Sequence, residues 1–226
     1  MGLISVIIPV LNEADRILST VATVQQGTDV EILVVDGGST DGTVERLRQA
    51  GVEFIQTTPG RGYQMNEGAR QATGEYLLFL HGDTQLPGEY DRWVREILSQ
   101  PGVVAGAFEL AIEGENWGYR VVEWGVKWRS HLFQLPYGDQ AIFLSRAVFE
   151  QVGGFPELPI LEDWQLMQRL KSLGKIAIAP LPVITSARRW QHLGIWRTTM
   201  INQGVLIAHF LGVDLHQIAH WYRQRR

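Results

Sequence analysis

The chain contains no cysteine, which excludes disulfides, thiolate metal sites and cysteine nucleophiles. It also lacks any run of the roughly 18 to 20 uncharged apolar residues needed to cross a bilayer. Met1 to Pro9 is apolar but carries no basic stretch and no small-residue cleavage site, so it does not read as a secretory signal. The myristoylation pattern is missing too, because Val6 stands where a hydroxyl residue is required. Neither sign of charge dominates: 20 Lys and Arg face 24 Asp and Glu, and a net −4 gives nucleic acid no electrostatic handle. No segment repeats with a period of about 20–50 residues, which excludes a solenoid. The expectation is a soluble, cytoplasmic chain, with a peripheral place on the inner face of the membrane as the alternative, and 226 residues are enough for one domain with a closed core.

What is present is an alternation of strands and helices. Ile4 to Ile8 is a β-branched run, read as a buried strand stopped by Pro9. Asn12 or Glu13 then opens a helix through about Gln26, with Ile17, Val21 and Val24 at helical spacing. Glu31 to Val35 is a second strand, running into the glycine-rich turn from Asp36 to Thr43, with a short helix from Val44 to Ala50. Val52 to Gln56 is a third strand, and Gly60 to Thr73 a helix with its entry loop. Tyr76 to Leu80 is an unbroken apolar run, as expected of a strand buried on both faces. Such alternation predicts a parallel, doubly wound α/β sheet. Ligands of these sheets bind outside the carboxyl ends of the strands. Four polar clusters fall at that edge: Asn12-Glu13, Asp36 with its glycines, Arg61, and His81-Gly82-Asp83.

After Pro87 the pattern loosens. Tyr90 to Leu98 is a helix, Val103 to Ile112 a longer strand, and Ala141 to Leu144 a short one. Ala147 to Val152 is a helical turn, Asp163 to Leu173 a helix, and Ile176 to Ala179 a last strand. Trp117, Val121, Trp124 and Trp128 share one helical face; that period predicts core, with sugar stacking as the alternative. From about Trp196 to Tyr222 the chain is mostly helical. Its basic end, Trp221 to Arg226, reads as a solvated helix end, with an anionic membrane surface as the alternative partner.

The chemistry follows from residue type. Asp36 can accept hydrogen bonds from a base or ribose, and Arg61 can neutralise phosphate oxygens through its planar fork. Asp83, with His81 before it and Gly82 allowing a tight turn, could hold a divalent cation beside a phosphorylated ligand. Taken singly, these are also an Asx turn, a surface charge and a polar turn. Glu162 and Asp163 are adjacent carboxylates at a helix start: either they cap it, or one takes a proton from an acceptor hydroxyl. Tyr137-Gly138-Asp139-Gln140 is a second polar cluster in this half. A dinucleotide-binding oxidoreductase would need a Gly-x-Gly-x-x-Gly loop after the first strand, where Pro9-Val10-Leu11-Asn12-Glu13 stands instead.

Taken together and in order, four motifs spread over residues 3–180 resemble the family 2 glycosyltransferases of the GT-A fold. They are Val6-Ile7-Ile8-Pro9-Val10-Leu11-Asn12-Glu13, Val34-Val35-Asp36 with the turn to Thr43, Leu78-Phe79-Leu80-His81-Gly82-Asp83, and Leu161-Glu162-Asp163. The short chain and the His-x-Asp variant are similar to the small bacterial non-processive subgroup. The resemblance implies a mostly parallel sheet with a short antiparallel acceptor-side portion and C-terminal helices. It implies one GT-A domain, with a nucleotide-sugar half (1–100), an acceptor half (101–190) and a helical C-terminal extension (191–226). The implied activity is inverting transfer of a single sugar from a UDP- or GDP-sugar to an unknown hydroxyl acceptor, using Mg2+ or Mn2+.

Residue by residue, the resemblance puts Pro9, Asn12 and Glu13 in the first nucleotide-binding loop, Asp36 on the base, and Arg61 near base and diphosphate. Asp83 matches the metal-binding end of an Asp-x-Asp motif whose first aspartate is replaced by His81. Asp163 matches the general base, with Glu162, Gly138, Asp139 and Gln140 on the acceptor side. Processive synthases of the family carry Gln-x-x-Arg-Trp and membrane helices; Ser186-Ala187-Arg188-Arg189-Trp190 has serine for the glutamine, and a single-addition enzyme is expected. The competing readings are a non-catalytic sugar-nucleotide-binding protein and a nucleotidyltransferase on a similar sheet.

Overall fold

The computed structural model describes residues 2–225. Met1, and Arg226 at the tip of the basic end, lie outside the described residues. The first half runs β1 (Ile4–Val10), α1 (Ile17–Val24), β2 (Val30–Asp36), α2 (Thr43–Gln49), β3 (Phe54–Gln56), α3 (Arg61–Gln71), β4 (Tyr76–Phe79), β5 (Thr84–Gln85) and α4 (Tyr90–Leu98). The second runs β6 (Val103–Ile112), α5 (Trp117–Phe133), a 3-10 turn (Gly138–Gln140), β7 (Ile142–Ser145), α6 (Arg146–Gln151), α7 (Glu162–Lys171) and β8 (Lys175–Thr185). Helices α8 (Arg188–Leu193), α9 (Ile195–Phe210) and α10 (Leu215–Arg223) complete it.

The strands form one sheet in the order β3-β2-β1-β4-β7-β6-β8-β5. The first four positions pair in parallel, as the alternation predicts. Strand β7 is inserted antiparallel to both β4 and β6, and β5 lies antiparallel on the far edge of β8. Alternate side chains of the central strands enter two cores. Val6, Ile8, Leu78 and Leu80 meet α1 and α4 on one side, while Ile7, Leu77 and Phe79 meet α3, α6 and α7 on the other. Complete burial of each such side chain contributes about 1.5–3 kcal/mol, which holds the strand ends in fixed relation.

Three expectations need correction. Strand β1 continues through Pro9 to Val10 instead of stopping there. The Ile7 carbonyl accepts from Leu80 and the Val10 carbonyl from Gly37, so odd residues of β1 face β4 and even ones face β2. Pro9 thus faces β4 beyond its last rung, where no donor is needed. Strand β8 outlasts Ala179: Phe108 faces Ala179 and Glu109 faces Pro182, so Pro180 and Leu181 form a bulge and pairing resumes to Thr185. Third, the tryptophan stripe of α5 is not core. Trp117, Trp124 and Trp128 are 69, 63 and 49% exposed. The other face of α5, through Tyr119, Val122 and Val126, is the one packed on the sheet. Both faces are apolar at the same period, so periodicity alone could not choose between them.

Candidate active site

The ends of β1 and β2 are joined by a network of side chain to backbone hydrogen bonds. The Asn12 amide N–H donates to Ser39 Oγ at 2.8 Å, and Asn12 Oδ1 accepts from the Thr40 N–H at 2.8 Å. Glu13 N–H donates to Thr43 Oγ1 at 2.9 Å, and Ala14 N–H to Asp41 Oδ2 at 3.0 Å. Slight burial works against the Asp41 charge, but hydrogen bonds from Thr43 and Ala14 hold its carboxyl below the usual range. Asp36 is fully buried and closes its own turn, accepting from Gly38 and Ser39. Gln64, on α3, donates from Nε2 to the Val10 and Val35 carbonyls at 2.9 and 2.8 Å, fastening the helix across both strand ends.

The turn after β4 presses on the same loop. A Cβ on Gly82 would lie 2.9 Å from Val10 Cγ1 and 3.2 Å from Glu13 Cγ, so a side chain there would displace the turn. Asp83 and Glu13 share a cation. Arg188, at the start of α8, donates to Glu13 Oε2 and lies 3.3 Å from Asp83 Oδ2. Burial weakens the Arg188 charge, but Glu13 first and Asp83 after it hold the guanidinium protonated.

The other wall comes from the second half. Arg61 Nη1 pairs with Glu162 Oε1 at 3.5 Å, joining the first turns of α3 and α7. Desolvation opposes the Arg61 charge; Glu162, then Asp163, Tyr222 and Asp83, outweigh it. Burial pushes the Glu162 carboxyl up, Arg61 pulls it down, and Asp163 adds to the rise. Asp163 Oδ2 accepts from the Gly138 N–H at 2.8 Å and Oδ1 from its own neighbour Trp164 at 2.7 Å. A Cβ on Gly138 would lie 3.0 Å from His81 Nε2 and 3.3 Å from Asp163 Oδ2. His81 and Asp163 therefore flank this glycine from two sides. Asp139, beside it, is pushed up by burial, lowered by Arg129 and raised again by Asp163. Its Oδ1 is buried with no hydrogen-bond partner among the described residues.

The structure thus gathers Asn12, Glu13, Asp36, Arg61, His81, Asp83, Gly138, Asp139, Glu162 and Asp163 at one edge of the sheet. Two expected site residues stand behind it. Pro9 is a rung of β1. Gln140 is fully buried, its Oε1 accepting from Arg129 and Ser130 and its Nε2 donating to the Phe108 carbonyl, so it props the 3-10 turn from below. The sequence does not single out Arg188, since Arg188-Arg189 resembles the remainder of a processive motif and its partners lie far away in the chain. Arg189 donates to the Tyr222 hydroxyl and stacks over its ring at 4.6 Å, which ties α8 to α10 beside the crevice. Arg189 Nε and Nη2 are buried with no hydrogen-bond partner among the described residues. Among those residues no three His, Asp or Glu side chains cluster as a metal cage. The arrangement does fit a divalent cation shared with a ligand: Asp83 offers a hard oxygen beside Glu13, where a guanidinium already sits.

A mostly parallel sheet with β7 inserted antiparallel, and with acidic and basic side chains gathered at one edge, fits the GT-A fold. Residues 5–151 match the model of glycosyl transferase family 2, and the chain belongs to that family. A "PGL/p-HBAD biosynthesis glycosyltransferase" of Mycobacterium bovis (strain BCG / Pasteur 1173P2) is 29% identical over 220 residues, 89% of this chain and 82% of the relative. Glycosyltransferase AglE of Haloferax volcanii is 40% identical over 91 residues, 35% of this chain and 30% of the relative.

Among solved structures, the mannosyltransferase PcManGT of Pyrobaculum calidifontis, in complex with GDP-Man and Mn2+, superposes with a TM-score of 0.64 at 22% identity, over 82% of this chain. TarS of S. aureus in complex with UDP-GlcNAc gives 0.65 at 18% identity, over 81% of this chain. The chain spans 56 and 58% of those two solved chains. These likenesses establish the fold. No helix among the described residues is long and apolar enough to cross a membrane.

Proposed function

We propose that this enzyme transfers one sugar from a nucleoside-diphosphate sugar to an acceptor hydroxyl, with inversion at the anomeric carbon. The observation that carries the reading is a pair of cation bridges at one edge. Arg188 joins Glu13 to Asp83, and Arg61 joins Glu162 beside Asp163. Asp163 is held by the Gly138 amide with its carboxylate toward the crevice wall that His81 shares. In this reading Asp163 takes the acceptor proton as the acceptor oxygen attacks the anomeric carbon. The bond from that carbon to the diphosphate oxygen breaks, and the leaving diphosphate keeps the electron pair. Arg61 and Arg188 face its charge, each offering guanidinium donors suited to phosphate oxygens. Asp83 would hold Mg2+ or Mn2+, which when bound supplies further charge neutralisation to the leaving group.

The base lies over Asp36, framed by Asn12 and Glu13, so residues 1–100 form the donor half. Residues 101–190 form the acceptor half and 191–226 a helical extension over it. The donors in the PcManGT and TarS complexes support a UDP- or GDP-sugar here. Ser186 in place of the processive glutamine supports release after a single addition. The test is Asp163→Asn, assayed for turnover and, separately, for donor affinity. Turnover should drop about 10²-fold or more with donor binding kept. Unchanged turnover would leave the carboxylate a mere helix cap and return the protein to a binding role.

A further inference from the structure

We infer that the outer faces of α5 and α9 form a docking surface for an anionic lipid bilayer. Of fifteen large apolar side chains exposed among the described residues, twelve fall between Trp117 and Phe133 or between Trp196 and Val213. On α5, Trp117, Val121, Trp124, Trp128 and Leu132 recur at helical spacing along the face turned away from the sheet. On α9, Trp196, Met200, Ile207 and Phe210 do the same, with Leu211 just beyond. The two stripes meet: the Trp117 and Trp196 rings are 6.2 Å apart, and a Cβ on Gly118 would strike Ile195 Cδ1 at 2.7 Å. They form one continuous surface, far beyond the scattered exposure usual for a monomer.

Charge decides what covers it. After Asp163 the chain carries nine Lys and Arg and one acid, Asp214, although the whole chain is net negative; with Arg188 bridging Glu13 and Asp83 and Arg189 packed on Tyr222, seven of the nine remain. Helix α9 has no acid at all, and exposed Arg197 sits next to Trp196. A second copy would set this positive third against itself. Indole rings among basic residues, on helices not long and apolar enough to cross a membrane, suit the headgroup boundary of an anionic leaflet. The surface ends at the crevice: Trp164, next to Asp163, packs on His209 and Phe210 of α9 with ring centroids 4.9 and 5.8 Å away. Docking therefore brings the acceptor side close to the bilayer. The inference is independent of the transfer chemistry.

The test is sedimentation with vesicles of equal parts phosphatidylcholine and phosphatidylglycerol, and with phosphatidylcholine alone, for the wild type and the double variant W124S/W128S. Both tryptophans are exposed and neither side chain packs in the core, so the variant should match the wild type in circular dichroism and melting temperature. The wild type is expected to pellet with the anionic vesicles and to bind neutral vesicles, or anionic ones in high salt, about tenfold less. The double variant should bind about tenfold less than the wild type. Wild type left in the supernatant, or a variant that pellets equally well, overturns the proposal. So does a wild-type dimer, seen by light scattering, that W124S/W128S splits while neither protein binds vesicles.

Discussion

Arg188→Ala removes the cation between Glu13 and Asp83, and its effects on stability and on metal binding should have opposite signs. The Arg188 side chain is 44% exposed, while those of Glu13 and Asp83 are 19 and 23% exposed. At that exposure screening limits each ion pair to about 0.5–1 kcal/mol, or about 1–2 kcal/mol for the two. A chain of this size should then melt roughly 3–6 °C lower. The same 1–2 kcal/mol no longer opposes a divalent cation approaching Asp83. Without nucleotide, Mn2+ should therefore bind about 5- to 30-fold more tightly to the variant than to the wild type. Calorimetric titration of Mn2+ into wild type, R188A and R188A/D83N measures both the gain and its origin. An affinity for Mn2+ that does not rise in R188A, or a gain that survives D83N, refutes the idea that the guanidinium holds the cation position.

Two further substitutions probe the acceptor wall. Burial raises the Asp139 carboxyl above its ordinary 3.8, so the folded state holds that proton more tightly than the unfolded chain does. Its contribution is fully present below 3.8 and is lost as pH rises through the folded value, leaving a buried charge as a cost at neutral pH. Asp139→Asn should therefore raise Tm at neutral pH and change little below 3.8; a lower neutral Tm would contradict the assignment. Gly138→Ala places a methyl 3.0 Å from His81 Nε2 and 3.3 Å from Asp163 Oδ2, so one of them must move. We expect kcat to fall about tenfold or more with donor affinity kept. An equal loss of donor affinity would assign Gly138 to the donor side instead.

The first hundred residues were legible in the sequence because most of their strands are short apolar runs ending in polar turns. Ile4 to Ile8, Glu31 to Val35 and Tyr76 to Leu80 fall within or next to β1, β2 and β4, and the clusters at their ends lie on one edge. The rest of the chain resisted for physical reasons. Helix α5 is apolar on two faces, and only tertiary packing chose Tyr119, Val122 and Val126 over the tryptophans. Strand β8 continues past two prolines because a bulge absorbs them, a device that local propensity cannot foresee. Gln140 looked like a site residue because polar residues cluster around it, yet the cluster is partly a buried strut. Arg188 was hidden because its partners, Glu13 and Asp83, lie 175 and 105 residues away.

The site is held together by two kinds of contact, and their difference follows the chemistry. Around Asn12, Asp36 and Asp41 the contacts are short neutral or charge-assisted bonds to backbone amides, which fix the loops before any ligand arrives. Reorganising that frame would break several hydrogen bonds at once, each worth about 0.5–1.5 kcal/mol net and more where a carboxylate accepts. Around Asp83 and Glu162 the contacts are single-nitrogen arginine contacts, with more than two-fifths of each arginine side chain exposed. The Arg188 pairs exchange partners at low cost, whereas Glu162 is buried and depends on Arg61 for its charge. A rigid cradle suits a base and ribose that stay the same throughout a reaction. An exchangeable guanidinium, that of Arg188, suits a diphosphate whose charge grows as its bond to the sugar breaks, since it can shift from carboxylate to phosphate without disturbing the strands.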